Sequence, residues 1–370
     1  MIMIGKVVIS LIWAFWMMAM SSAEGNPTDK SEPVVVIKEE YNPTYSSTFD
    51  RVKKRGYVIC GTNDEFPGFS QESWSTEDGG RWEGFDVDIC RAIAAALFGD
   101  ADAIEFTIVN GKTRFEFLID GSIDVLSATT TFTYTRNVTK KLEFLPTTFY
   151  DGQGFIVRKT LGVSSAKQLE GAKICFSSTG TAAKNIADFF ELHGISYIPV
   201  AVKPSEKTKN VYKRGDCDMY GTDRSGLASN RLSFDDPDRH MILPEIISKE
   251  PLGPVVKYGD QKWSDVIRWV VYVLFIAEEM GINSKNIDSF KNNIDPNIQR
   301  FMGEKNGEDH PHLGDKLELS ETWSYDIIKQ VGNYKEIYER NVGENTPLGL
   351  QRGLNRLYNH GGLLYAPPLK

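Results

Sequence analysis

From Thr48 onward the apolar positions change period at regular intervals. RVKKRGYVICGT gives a basic helix end, a glycine and a short strand, and WEGFDVDICRAIAAALFGD gives a strand running into an Ala-rich helix closed by Gly99. IEFTIV then reads as a strand, RFEFLIDG as a helix with a glycine stop, and IDVLSA as another strand. Strand and helix in alternation is the grammar of a parallel sheet. After Gly154 the rhythm restarts: FIVRK as a crossing strand, KQLEG as a short helix, AKICFSS as a strand, TGTAAKNIADFFELHG as a helix, SYIPVAV as a strand, YKRGDCD as a turn and DMYGTD as a strand. EPLGPVVKYG offers a second extended crossing, and a long helix follows from Trp263 to Gly281. The pattern predicts an α/β chain of two lobes, each a sheet flanked by helices, with a cleft between them. Residues 48–151 form the first part of lobe 1, 152–255 form lobe 2, and 256–370 return to lobe 1 and end in a loop-rich, partly helical tail that pattern alone does not place.

The first 23 residues follow a different rule. Lys6 precedes the apolar run VVISLIWAFWMMAM, and Ser21 and Ala23 put small residues at the −3 and −1 positions of a cut after Ala23. That is the grammar of a secretory signal peptide, and the apolar run is short for a membrane anchor. Residues 24–47 mix proline, asparagine and charge as an exposed leader. The chain of 370 residues is 41% hydrophobic, enough for two proper cores. Its net charge of −8 becomes −9 without the segment holding Lys6, which argues against a nucleic-acid partner. The run VVYVLFIA from Val270 to Ala277, flanked by Asp265, Arg268, Glu278 and Glu279, reads as a buried helix.

Export also changes the meaning of the four cysteines, since an oxidising compartment favours disulfides. Three pairings are possible. Proximity favours Cys60 with Cys90 and Cys175 with Cys217, one bridge in each lobe and none across the hinge. Five scattered histidines, including His310 and His312, make a poor metal site, and neither metal nor cofactor is expected.

The chemistry concentrates in SATTTFTYTRNVTKKLEFLPTTFYDGQGF, Ser127 to Phe155, where a hydroxyl-rich run ends in Arg136. A guanidinium fork among hydroxyl and amide donors suits a carboxylate, although a solvated turn would look the same. Thr179-Gly180-Thr181 lies between a strand and a helix N-terminus, where free N–H groups favour an anion and where capping is the competing reading. Asp223 ends the strand DMYGTD, at the edge that faces the cleft in open α/β sheets or as a cap carboxylate. Phe66 and Phe69 could cover an apolar group or fill the core. Together these describe a zwitterion site, with Arg136 and the Thr181 turn for a carboxylate and Asp223 for an ammonium. No nucleophile stands beside a base, and no GxSxG, HExxH or Walker motif occurs.

CGTNDEFPGFS, GFDVDICRAIAAALFGD, RFEFLIDGSIDVLS, TTTFTYTRNV, FYDGQGF, SSTGTAAKNIADFF, GDCDMYGTDRSGLAS, KEPLGPVVKYGD and VGNYKEIYERNVG with TPLGLQRGLN resemble, in order, the general L-amino-acid-binding proteins of bacterial ABC importers. The resemblance runs from Thr48 to the C-terminus. It implies a type II periplasmic binding protein that acts as a monomer in the periplasm, captures a free L-amino acid and delivers it to a membrane permease. By position it makes Arg136 the α-carboxylate clamp with Thr129 and Thr131 beside it, Thr181 a second-lobe contact to that carboxylate, Asp223 the ammonium acceptor and Phe66 the ring over the ligand. Ala182 stands where relatives often have a second Thr. Asn63 stands where binders of cationic amino acids tend to place Asp, which argues against a strict lysine, arginine or histidine specialist, while Asp64 and Glu65 beside it keep that reading open. Asp86 and Asp88 read as helix-start residues.

The alternative in a different class is an exported enzyme of the same fold, such as a cyclohexadienyl dehydratase, which fold alone does not separate from a binder. A receptor ectodomain is disfavoured by the lack of a DNA-binding segment or second membrane span. The expected mechanism is capture by hinge closure near Gly152 to Val157 and Pro251 to Val256. With Phe66, Phe69 and Asn63 at the side-chain end and no dedicated buried counter-charge, the site is expected to take several neutral amino acids.

Overall fold

The computed structural model describes residues 47–64, 66–73, 80–304 and 313–370. The signal peptide, nearly all of the leader, His310 and His312 lie outside the described residues. Structure opens with α1 (Thr48–Arg55), whose Ser47 side chain caps Asp50 N–H and whose cations fill the last turn. It packs Phe49 and Val52 inward and leads through Gly56, left-handed at φ 88°, into β1 (Val58–Thr62).

One five-stranded sheet carries the first lobe. A small hairpin of β2 (Gln71–Ser73) and β3 (Arg81–Glu83) precedes α2 (Phe85–Phe98), then come β4 (Ile104–Ile108), α3 (Arg114–Asp120), β5 (Val125–Leu126) and β6 (Leu142–Phe144). β1 runs parallel to both β4 and β5, as strand–helix–strand order requires. After β7 (Phe149–Asp151) and Gly152 the chain enters a second sheet through β8 (Gln153–Arg158). β9 (Lys173–Ser177), α4 (Ala182–His193), β10 (Ile198–Val202), α5 (Thr208–Arg214), β11 (Met219–Asp223), α6 (Arg224–Leu232) and β12 (His240–Ile242) complete it, in the order β10-β9-β11-β8-β12. Where the sequence suggested only a turn at YKRGDCD, α5 extends to Arg214, because burying Val211 and Tyr212 against the sheet holds the segment helical.

The second crossing is broken in two. β13 (Glu250–Leu252) pairs antiparallel with β7, setting Asp151 opposite Glu250 and Tyr150 opposite Pro251, and β14 (Val255–Lys257) enters the first sheet between β5 and β6. The β7–β13 ribbon therefore joins the two sheets. α7 (Gln261–Glu279) packs back on the first sheet, its Trp263 indole N–H donating to the Asp124 carbonyl at 2.8 Å. The apolar run in α7 is buried, and among the described residues no helix is long and apolar enough to cross a membrane.

The tail, unplaced by pattern, is a helical layer on lobe 1. α8 (Pro296–Met302), α9 (Leu313–Leu317), α10 (Trp323–Gln330) and α11 (Tyr334–Asn341) put Phe301, Trp323, Ile327, Tyr334 and Tyr338 into the same core as α2 and α7. Cys60 on β1 is bonded to Cys90 on α2, and Cys175 on β9 to Cys217, one bridge within each lobe.

Candidate functional site at the interlobe cleft

The first face of the site is a strained turn held by buried groups. β5 delivers the chain to Ser127, and Thr129 sits at φ 42°, in the left-handed region where a β-branched residue is uncommon. Asp86, in the first turn of α2, accepts from Ser127 Oγ and from Thr129 N–H, both at 2.9 Å. Asn63, just past β1, donates Nδ2–H to Thr129 Oγ1 at 3.0 Å. Burial raises the Asp86 carboxyl to about 6 against these two bonds. Asp86 thus starts a helix, as its position suggested, and also organises the turn.

Arg136 lies on the single helical turn Thr135–Thr139 and is 8% exposed. Its Nη1 donates to the Thr131 carbonyl at 2.7 Å, and its guanidinium stands 5.3 Å from the centre of the Phe115 ring. One donor is committed to a neutral acceptor, and among the described residues no carboxylate pairs with it. Burial lowers its pKa, opposed by Glu250 and Asp223 across the cleft.

A second guanidinium was not singled out from the sequence. Arg114 opens α3, Nη1 reaches Thr130 Oγ1 at 3.4 Å, and its buried Nε has no partner. Desolvation, then Arg136, lowers its pKa to about 10, against the pull of Asp223. A cation at a helix N-terminus opposes the helix dipole, and that was the available signal. Arg114 is a buried charge in the cavity wall that the sequence reading did not include among the site residues.

Lobe 2 and the ribbon bring the opposite charge. Asp223 ends β11, and no hydrogen bond reaches its carboxylate among the described residues. It keeps some exposed surface, but the surrounding protein removes most of its contact with bulk water. That desolvation, with Asp151 and Glu250 nearby, holds its pKa well above the carboxylate range despite Arg136 and Arg114. Asp151 accepts from Gly152 N–H at 2.7 Å and Ser225 N–H at 3.1 Å, and burial raises it too. Glu250 is satisfied by Asn185 Nδ2 and Ser248 Oγ, both at 2.7 Å, and by Thr181 Oγ1 at 3.3 Å. Thr181 sits at the N-cap position of α4 but spends its hydroxyl on Glu250 rather than on the helix. The N–H groups of the first turn therefore have no side-chain cap.

The two faces meet. A Cβ added at Gly111 would overlap Thr179 Oγ1, one added at Gly226 would lie 3.3 Å from the Phe66 ring, and Lys207 pairs with Asp64 at 3.3 Å across the mouth. Between them lies a cavity of about 460 Å³ lined by Asn63, Phe66, Arg114 and Thr129 from one lobe and Thr179 and Tyr220 from the other. Phe69 does not line it: 1% exposed, it stacks behind Phe66 at 5.4 Å and against Phe149 at 5.2 Å. Of the expected site residues Asn63, Phe66 and Thr129 line this cavity, whereas Arg136, Asp223, Thr131 and Thr181 are gathered in the buried charge cluster that Arg114 shares with Glu250 and Asp151, and Phe69 lies one layer back. Among the described residues no cluster of His, Cys, Asp and Glu could hold a metal ion.

This geometry coincides with what the chain is similar to. Residues 58–344 match the model of the bacterial extracellular solute-binding proteins, family 3. The general L-amino acid-binding periplasmic protein AapJ of Rhizobium johnstonii is 47% identical over 325 residues, 88% of this chain and 93% of its own. The glutamate/glutamine/aspartate/asparagine-binding protein BztA of Rhodobacter capsulatus is 42% identical over 326 residues, 88% of this chain and 94% of its own. A periplasmic binding protein from Brucella ovis, solved with glutathione bound, superposes with a TM-score of 0.84 at 42% identity, covering 88% of this chain and all of that one. With a cleft between two sheets, guanidinium groups on one face and carboxylates on the other, as its candidate site, the chain belongs to the bacterial extracellular solute-binding proteins, family 3.

Proposed function

We propose that this protein captures free L-amino acids in the periplasm by closing its lobes at the β7–β13 ribbon, and passes them without turnover to the membrane permease of an ABC importer. The observation that carries the reading is the pair formed by Arg136 and Asp223, opposite in charge, withdrawn from water and each without an ionic partner in hydrogen-bonding contact. Buried charges left this way are costly, and a zwitterion supplies both partners at once. Arg136, with the α4 N-terminus beyond Thr181, takes the carboxylate, and Asp223 takes the ammonium. Phe66 covers the Cα region. Arg114 and Asn63 meet the side chain, which favours glutamate, glutamine, aspartate and asparagine over purely apolar residues, in keeping with the ligands in the name of BztA. The signal peptide directs export, and the protein acts as a monomer toward the permease.

A second ligand class rests on the cavity itself. Besides Arg114 it is lined by two further cations, Lys203 and Lys207, more positive charge than the carboxylates of one amino acid call for. A γ-glutamyl peptide such as glutathione, the ligand of the Brucella ovis relative, presents the same head group and a distant second carboxylate.

Titration calorimetry with the free L-amino acids and reduced glutathione tests both, alongside N-acetylated and decarboxylated analogues. Binding of parents and failure of both analogue sets is expected. An analogue lacking the ammonium that binds as well as its parent overturns the assignment of Asp223. Incubation with arogenate separates binder from dehydratase, since turnover would contradict the reading.

A further inference from the structure

Residues 345–370 lie beyond the family match, which ends at 344, yet Leu348, Leu357, Leu364 and Leu369 of this tail are buried in the core of lobe 1. Arg352 anchors the segment. Its Nη2 lies 3.1 Å from both carboxylate oxygens of Glu278 near the end of α7, and its guanidinium packs 5.0 Å from the centres of the Tyr334 and Tyr338 rings. Its Nε–H donates to the Asn355 carbonyl at 2.8 Å.

Asn355, 4% exposed, is aimed at the ribbon. Its Oδ1 accepts from Tyr150 N–H at 2.6 Å and its Nδ2 donates to the Tyr150 carbonyl at 3.1 Å. One side-chain amide thus satisfies both backbone groups of one strand residue, as an opposing residue does in a hydrogen-bonded antiparallel pair. Tyr150 stands opposite Pro251 in the ribbon, and proline has no N–H to offer. Tyr334 Oη adds a bond to the Thr148 carbonyl at 2.7 Å. The next residue, Asp151, receives Ser225 N–H from the start of α6 in lobe 2 and faces Asp223.

We infer that the C-terminal tail is a strap on the crossing ribbon, and that Asn355 is a positioning residue that fixes Tyr150 and, through it, the Asp151 contact to lobe 2. The strap does not depend on the identity of the ligand. Its effect on ligand retention rests on the amino-acid-binding reading.

The test uses full-length mature protein carrying Asn355→Ala, and Asn355→Asp as a second variant that keeps the acceptor for Tyr150 N–H but sets a carboxylate against the carbonyl. Deleting the tail would strip buried leucines from the core and is not informative. Hydrogen exchange of the Tyr150 and Ser225 amides in ligand-free protein, the dissociation rate of L-glutamate and the melting temperature are read together. Exchange at both amides is expected to rise about tenfold in Asn355→Ala, the loss of roughly one net hydrogen bond of protection. L-glutamate should leave about fivefold faster, since truncation effects on binding are read mainly in dissociation. A lower melting temperature with exchange at Tyr150 and Ser225 unchanged overturns the strap. Faster exchange at Tyr150 alone, or an unchanged dissociation rate in a protein that binds glutamate, overturns the positioning role. If wild type binds no amino acid, the ligand reading fails, and the two amides still decide the strap.

Discussion

Lobe 1 brings two guanidinium groups, Arg114 and Arg136, to the buried charge cluster of the cleft, whereas lobe 2 and the ribbon bring carboxylates, Asp223, Asp151 and Glu250, and of the five only Arg114 lines the open cavity. The two sides are also satisfied differently. On the cationic side each guanidinium has a neutral acceptor, Thr130 Oγ1 or the Thr131 carbonyl, so both are held in place without being neutralised. On the anionic side Asp151 and Glu250 are bonded to backbone and side-chain donors, and Asp223 alone is not. Neither face by itself recognises a zwitterion. The division makes closure selective, because bringing the faces together is favourable only when a ligand stands between them.

The comparison breaks most completely at Arg136. Arg136→Ala should lower affinity for amino acids by about 3 to 5 kcal/mol, hundreds- to thousands-fold, while circular dichroism shows both lobes folded. Calorimetric affinity within tenfold of wild type would contradict the carboxylate assignment.

Removing the opposite charge comes next. Asp223→Asn should cost about 2 to 4 kcal/mol of binding, since the ammonium loses its charged acceptor but keeps a polar one. Its pH dependence has a definite sign. Without ligand, burial with Asp151 and Glu250 nearby holds the Asp223 proton above the usual carboxylate range, so its contribution to stability falls as pH rises through that window. The ligand ammonium favours the ionised form, so affinity should rise over the same window and binding should expel a proton. Calorimetry in buffers of different ionisation enthalpy reads that proton, and Asp223→Asn should abolish it.

Arg114→Leu sharpens the comparison by separating head group from side chain. Glutamate affinity should fall by about 1.5 to 3 kcal/mol, the value of a hydrogen bond to a charged group, while alanine affinity changes little. Equal losses for both ligands would place Arg114 at the head group instead.

The smallest effect concerns the approach of the faces. Gly111→Val leaves each lobe intact but sets a side chain against Thr179, and should weaken binding by about 1 to 2 kcal/mol through a less complete closure. Small-angle scattering with saturating ligand should show a wider particle than wild type.

Much of this was legible because strand ends and glycine stops are local signals. Gly99 and Gly194 end α2 and α4 in the left-handed conformation, where the sequence placed their stops, and Arg136, Thr181 and Asp223 stand at element ends that open on the cleft. What escaped depends on contacts remote in sequence. Arg114 looks like a solvated charge on RFEFLIDG until α3 packs on β1, β5 and β14 and brings it beside Thr130, Arg136 and Asp223. Phe66 and Phe69 differ only in which ring Phe85 and Phe149 enclose. Asp151 and Glu250 sit in crossing strands whose pairing with one another no local period reveals. The tail's helices do carry a helical period, Trp323, Ile327 and Ile328 on α10 and Tyr334, Ile337 and Tyr338 on α11, but that period does not say that their buried faces pack in the core of α2 and α7.

The insertion of β14 between β5 and β6 has a consequence for the life of the chain before it is functional. The strands and helices of the second sheet, residues 153–242, are continuous in sequence, so that unit can finish folding on its own as soon as it is released. The first sheet cannot, because β5 and β6 lack their shared neighbour until residue 257 arrives, and its helical layer waits for the last residues. The sheet begun first is therefore the last to become native, and its open strand edges and uncovered α2 wait through that interval, the one in which such a chain is most exposed to aggregation and proteolysis.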